Sequence, residues 1–248
     1  MKENISKENM RLDRFLGVTG VCSRSEAKKA IRRGAVTVNG VALNNTDAKI
    51  DPEKDRVCFA GKEIIYRRFT YIMMNKPSGV VSATEDGRDK TVIDLLPDEA
   101  RVAGLFPCGR LDKNTLGLVM ITNDGALSHR LLSPSGHVAK KYRFESKFPV
   151  RDEEAEKFEL GVEIGEGYIT KPAKISLDDD GKSGYVTIIE GKYHQIKLMF
   201  EAINNQITYL ERVSFGSLEL DSNLERGEWR YLTDEEISKL GADPNKNQ

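Results

Sequence analysis

Residues 23–40, "SRSEAKKAIRRGAVTVNG", leave the chain little choice of local structure. Ser23 and Glu26 stand at capping-box spacing: the hydroxyl can take the amide of the third helical residue, and the carboxylate can take the amide of the serine. Gly34 follows the last periodic residue and can close the helix in a left-handed conformation. Asn39-Gly40 then splits the alternating run "VTVNGVAL", the strongest short signal for a two-residue hairpin turn. A helix with both ends marked therefore runs straight into a small antiparallel sheet. Before it, "MRLDRFLGVTG" carries Met10, Leu12, Phe15, Leu16 and Val18 near helical spacing, with Gly20 to end it. After it, "DRVCFAGKEII" adds a strand pair around Gly61. Residues 10–65 read as one small unit preceded by a polar tail, 1–9.

Charge sets this unit apart. Residues 1–68 hold 15 Lys and Arg against 9 Asp and Glu, a net of +6, which leaves −7 for the remainder of a chain of net charge −1. Lys28, Lys29, Arg32 and Arg33 stripe the marked helix, and Arg24 opens it. A basic module on a mildly acidic body points to a polyanionic partner, or to an ordinary solvated face. Two helices followed by a hairpin sheet, in this order and with these cations, resemble an S4 RNA-binding domain. The resemblance rests on "RLDRFL", "SRSEAKKAIRRGAVTVNG" and "DRVCFAGKEI". It implies phosphate contacts from Arg24, Lys28, Lys29, Arg32 and Arg33.

"YRRFT" reads as a linker, 66–70, into a second domain over 71–240, with a polar tail at 241–248. "YIMMN" is a strand stopped by the turn Lys76-Pro77-Ser78-Gly79. "TVIDLLP" reads as a short helix ahead of Pro97. "LVMI", 118–121, is a buried strand ending at Asn123-Asp124-Gly125. "HVAKKYRFES" alternates as a strand. "RDEEAEKFELG" reads as an acidic amphipathic helix with Phe158 and Leu160 inward. "GYITKPAKISLDDDGKSGYVTIIEGK" is a hairpin with an acidic loop. "YHQIKLMFEAI" places Ile196, Met199, Phe200 and Ile203 at helical spacing. The fold class is α+β: an S4-like module, then a domain on a mixed, largely antiparallel sheet.

Several function classes drop out. Cys22, Cys58 and Cys108 are scattered and odd in number, and His129, His137 and His194 lack ligand spacing, so neither a disulfide framework nor a metal site is expected. No apolar run has the length of a membrane span and the first residues hold no hydrophobic signal core; a cytoplasmic protein is expected.

Three stretches could carry chemistry. In "GRLDKNTLGLVMITNDG", 109–125, a charged loop with Asp112 between Arg110 and Lys113 feeds directly into a core strand. A carboxylate held at the mouth of a sheet can serve as nucleophile or acid–base group, or merely form a turn. In "EGKYHQIKLMF", 190–200, Lys192, His194 and Lys197 crowd a helix start that already carries positive dipole. Either an anion faces them or Lys197 reaches out to solvent. In "AKKYRF", 139–144, Tyr142 lies among cations, as a stacking platform for a base or as a core aromatic.

Together, "NKPSGVVS", "GRLDKNTLGLVMITNDG", "KKY" and "EGKYHQIK" occur in the order found in pseudouridine synthases of the RsuA type, and residues 10 to about 240 resemble that family, including "RVSFGSLELDSNLERGEWRYLTDEEI". The resemblance implies isomerisation of uridine in RNA to its C-glycoside. Asp112 would be the catalytic carboxylate, by nucleophilic attack on the sugar or by assisting elimination. Tyr142 would stack on the uracil and help remove the C5 proton, and Lys197 would pair with Asp112 beside an apolar Ile196. Arg110 would help displace the target nucleotide or occupy its vacated place, with Lys192, His194 and Lys76 as further RNA contacts. No metal or organic cofactor is implied. Leu198 and Cys108 depart from the family's usual residues. "YHQIK" resembles the small-subunit rRNA members, so the expected partner is 16S rRNA, free or in an assembling particle, acted on by a monomer. The alternatives are a 23S rRNA uridine or a non-catalytic S4-type assembly protein.

Overall fold

The computed structural model describes residues 9–64, 66, 68–133, 136 and 138–243. The tails and the linker expected from sequence fall partly outside these residues, as does His137. The chain divides into two compact units. One is drawn from residues up to Thr70, from Leu96–Leu105 and from Asp243 on; the other from Tyr71–Leu95 and Phe106–Ala242.

The first unit contains β1 (Met10–Arg11), α1 (Leu12–Val18), α2 (Arg24–Arg32), β2 (Val36–Val38), β3 (Val41–Ala42), β4 (Lys49–Ile50), β5 (Val57–Phe59) and β6 (Lys62–Glu63). The capping box forms: Ser23 Oγ accepts from the Glu26 amide at 3.3 Å, and the Ser23 amide donates to Glu26 Oε2 at 2.9 Å. Asn39 and Gly40 both take positive φ, 53° and 82°, as a type I′ hairpin turn requires. The sheet order is β3-β2-β5-β6, and β1 pairs separately with β4. Leu12, Phe15 and Leu16 of α1 bury against Ala27 and Ile31 of α2 and against Val36 and Val57 of the sheet. Asp13 is fully buried on α1, with Arg11 at 3.0 Å and Arg24 at 3.3 Å. Burial pushes its carboxyl up, but the hydrogen bonds from Arg11 and Arg24 outweigh this and hold it below the usual range.

The second unit contains β7 (Tyr71–Lys76), β8 (Phe106–Cys108), β9 (Leu116–Thr122), α3 (Gly125–Leu132), β10 (Lys140–Ser146), α4 (Asp152–Leu160), β11 (Lys174–Leu177), β12 (Ser183–Ile188), α5 (Gln195–Ala202), β13 (Ile207–Phe215), β14 (Leu218–Glu219), β15 (Trp229–Tyr231) and α6 (Asp234–Lys239). One sheet runs β11-β12-β10-β13-β9-β7-β15, with β8 beside β9 and β14 beside β13. The β13–β9 contact is parallel and the other pairings are antiparallel. β7 and β9 are interior strands with neighbours on both sides, and their "YIMM" and "LVMI" runs are buried residue after residue, which is why they are apolar without alternation: both faces are covered.

Two expectations fail locally. "TVIDLLP" forms turns instead of a helix: the Asp94 carboxylate accepts from the Thr91 amide at 2.8 Å and its hydroxyl at 3.0 Å, and Pro97 stops the chain from continuing. In α4, Phe158 is buried but Leu160 is 81% exposed. Residues two apart on a helix point to nearly opposite sides, so both could not face inward.

α5 is anchored by aromatic packing. Phe200 meets Phe144 of β10 at 4.9 Å between ring centroids and Phe158 of α4 at 5.2 Å. Such pairs contribute about 0.5–1.5 kcal/mol each beyond area burial. They fix the helix whose first turn faces the loop before β9.

Candidate active site

The loop 109–115 is organised from below. Lys76, the last residue of β7, is fully buried, and its Nζ donates to the carbonyls of Pro77, Asp112, Lys113 and Thr115 at 2.8–3.1 Å. Burial pushes its pKa down to about 8, Asp112 pulls it up and Lys197 pushes it down. Four carbonyl acceptors suit the ammonium, with three hydrogens, better than a neutral amine with two. Ser82 clips the same loop on its other side, exchanging hydrogen bonds with the Leu111 carbonyl and amide at 3.1 Å each. Gly117 is needed where β9 begins. Its φ is +94°, and a Cβ there would lie 2.3 Å from the Arg212 carbonyl oxygen, so only glycine lets β13 approach this closely.

Asp112 projects into a cleft of about 1080 Å³ whose lining includes Arg110, Tyr142, His194, Ile196, Lys197 and Arg212. Lys197 Nζ stands 2.6 Å from Asp112 Oδ2, with both side chains about three-quarters covered. His194 Nε2 is 3.7 Å from Oδ1, in ionic range but beyond a good hydrogen bond. Lys113, next to Asp112 in sequence, turns away and pairs with Asp89 at 2.7 Å. Arg110 is exposed at the rim, and Ile196 is buried at the wall.

The start of α5 is held by its own network. The Gln195 side chain donates to Glu190 Oε1 at 2.9 Å and accepts from the Lys192 amide at 3.0 Å. Glu190 also accepts from the Lys171 amide at 2.9 Å and the Tyr168 hydroxyl at 2.7 Å. His194 takes the left-handed conformation, φ 50°, that turns the chain into the helix.

Tyr142 is 7% exposed and lines the cleft. Opposite it on β13 stands Arg212, at an irregularity of the β10–β13 register between Lys141 and Tyr142. Arg212 is 1% exposed. Its Nε donates to the Leu118 carbonyl at 2.8 Å and its guanidinium lies 5.0 Å from the Phe215 ring. Its Nη2 is the buried side-chain atom without a hydrogen-bond partner among the described residues. Burial pushes the Tyr142 phenol up, and Arg212 works against that rise.

This arrangement sets a carboxylate and a cation 2.6 Å apart in one cleft with a buried aromatic, Tyr142, in its wall. A family model described as RNA pseudouridylate synthase matches residues 70–202, and one described as S4 domain matches 10–57. The chain belongs to the RNA pseudouridylate synthase family. The synthase is 47% identical over 234 residues to the uncharacterized RNA pseudouridine synthase YtzG of Bacillus subtilis, covering 93% of this chain and 98% of that one. It is 40% identical over 233 residues to the ribosomal small subunit pseudouridine synthase A of Escherichia coli strain K12, covering 93% and 100%. A crystal structure of a pseudouridylate synthase aligns at 37% identity with a TM-score of 0.65, covering 93% of this chain and 99% of that one.

In this pseudouridine synthase one sequence assignment must be corrected. Lys76 does not meet RNA: it is sealed inside the unit and spends its hydrogens on the loop carbonyls. In the S4 unit, Arg24, Lys29, Arg32 and Arg33 are exposed and Lys28 is partly exposed; Arg24 also reaches back to Asp13 at 3.3 Å. Lys192 is exposed at the cleft rim with its Nζ 4.5 Å over the Tyr168 ring. Sequence reasoning passed over Arg212, Ser82 and Tyr193. Arg212 did leave a signal, as a cation inside the alternating run "ITYLERVSF". Among the described residues no group of three or more His, Cys, Asp or Glu could hold a metal ion, and no helix is long and apolar enough to cross a membrane.

Proposed function

We propose that this synthase converts a uridine of ribosomal RNA, in the small subunit, to pseudouridine, with Asp112 as the catalytic carboxylate. The observation that carries the residue assignment is the 2.6 Å contact of Lys197 with Asp112 in the cleft lined by Tyr142. The small-subunit assignment is supported by the name and the full-length match of the Escherichia coli relative.

The reaction breaks the C1′–N1 bond, turns the uracil and joins C1′ to C5; C5 loses a proton and N1 gains one. Asp112 acts at the sugar as nucleophile or as base, and the 2.6 Å contact with Lys197 keeps it aimed into the cleft. Tyr142 and Ile196 wall the detached base and limit its escape to water. Arg110, free at the rim, takes the place of the nucleotide that must leave its stack to reach Asp112. The exposed Lys29, Arg32 and Arg33 of α2 add phosphate contacts that do not read the target base.

The test is a pseudouridine map of rRNA from a deletion strain complemented with the wild-type gene or with Asp112→Asn. One small-subunit uridine should lose its modification on deletion and regain it only with the wild type. A gap in large-subunit rRNA would move the target, and restoration by Asp112→Asn would remove Asp112 from the chemistry.

A further inference from the structure

We infer that Tyr193 is a stacking platform for a nucleobase adjacent to the target uridine in the RNA substrate, an inference that rests on the RNA reading above. Tyr193 is a large aromatic left 73% exposed, so it does little for the core. One face is not idle: its ring stacks on His194, with centroids 3.8 Å apart and planes 17° from parallel. Neighbouring residues rarely stack in this way. Here the left-handed turn at His194, φ 50°, brings the two rings face to face.

The stack leads to the reacting centre. His194 Nε2 lies 3.7 Å from Asp112, and Tyr193 lies on the imidazole ring. A base laid on the outer face of Tyr193, about 4 Å further out, is therefore within a nucleotide or so of a uridine held at Asp112. The surroundings suit a nucleic acid. Tyr193, Lys192, Lys171 and Arg110 all line the cleft, and Lys192 Nζ caps the Tyr168 ring at 4.5 Å. Exposed aromatics interleaved with cations bind unpaired bases with little regard to their identity, because every base offers a π-face. The platform would thus favour a target flanked by an unstacked nucleotide.

The test uses the full-length protein, an unmodified small-subunit rRNA transcript carrying 5-tritiated uridine, and tritium release as readout. Tyr193→Ala should raise KM roughly tenfold and change kcat by less than about twofold. Tyr193→Phe, which keeps the ring, should restore the lower KM. An abasic nucleotide next to the mapped target should cost the wild type a similar factor and cost Tyr193→Ala nothing more. An unchanged KM in Tyr193→Ala overturns the inference, as does an abasic penalty that adds in full to the alanine penalty. Failure of the small-subunit reading would look different: the wild type itself would release no tritium from that transcript. The same comparison would then be made by equilibrium binding on the large-subunit transcript, where equal affinity of Tyr193→Ala and wild type overturns the platform.

Discussion

Lys197 on the first turn of α5 and Asp112 in the loop before β9, 85 residues apart in sequence, meet at 2.6 Å. The contact explains why a lysine is tolerated where the helix dipole is already positive: the carboxylate in front of it more than offsets a dipole cost of about 0.3–1 kcal/mol. If the pair is catalytic, Asp112→Asn should lower tritium release by a hundredfold to ten-thousandfold, about the range for losing an acid–base group. Lys197→Met should lower kcat strongly, and Lys197→Arg, which keeps the charge, should retain more activity than Lys197→Met. Full turnover in Lys197→Met would separate the contact from the chemistry.

Lys76 is expected to be a stability residue that also governs the loop. Lys76→Met strands up to four carbonyls, the Thr115 one in a buried bond and the other three in part-buried ones, each costing up to about 1–3 kcal/mol when left unpaired, less whatever the loop recovers by relaxing or from water. Urea unfolding should show a loss of at least about 3 kcal/mol, and the loop amides around Asp112 should exchange faster with solvent. A variant within about 1 kcal/mol of wild type with normal loop exchange would mean that the loop is held elsewhere, by Ser82.

Arg212 should separate stability from activity. The unpaired Nη2 of this buried cation carries a desolvation cost that Arg212→Met removes, while the Leu118 carbonyl loses its 2.8 Å donor, so the two effects offset in part. Arg212→Met should therefore melt within a few degrees of wild type, or higher, while turnover falls at least about tenfold because Tyr142 loses the cation beside it. Since burial raises the Tyr142 phenol, Tyr142→Phe should change the rate without reshaping the pH profile below about pH 9. An Arg212→Met protein that loses activity only in step with lost stability would reduce Arg212 to a packing role.

Acid should weaken the first unit through Asp13. Its carboxyl is held below its ordinary value in the folded chain, so the folded state binds its proton less readily than the unfolded one. The stabilisation is present in full above the unfolded pKa, about 4, and disappears as pH falls through the lower folded value. Thermal melts between neutral pH and pH 3 should show a steeper loss for wild type than for Asp13→Asn, measured on the full chain. Parallel curves would place the acid sensitivity on other carboxylates.

Local pattern carried much of this molecule. The Ser23–Glu26 box, Gly34 and Asn39-Gly40 act within a few residues of themselves, so α2 and its hairpin could be read before any contact was known. The 3.6-residue spacing of Ile196, Met199, Phe200 and Ile203 likewise gave α5 and its buried face. The same kind of reading failed at Leu160, where two apolar residues two positions apart were put on one face, and in "TVIDLLP", where one carboxylate diverted the backbone into a turn.

Other features had no local signature. Lys76 looks like any strand-end lysine; that it is buried follows from the loop 112–115 folding over it, and a charge tolerates that place only because four carbonyls converge there. Gly117 looks like a flexible residue of the loop, yet its missing side chain is what admits β13. Arg212 reaches Tyr142 because β10 and β13 are neighbours in the sheet, a pairing set by the packing of whole strands. Propensity and capping act over a single helical turn and were written in the chain. The meeting of Asp112, Tyr142, Lys197 and Arg212 depends on burying the two faces of one sheet, and that free energy is shared among strands too distant in sequence for any short pattern to record.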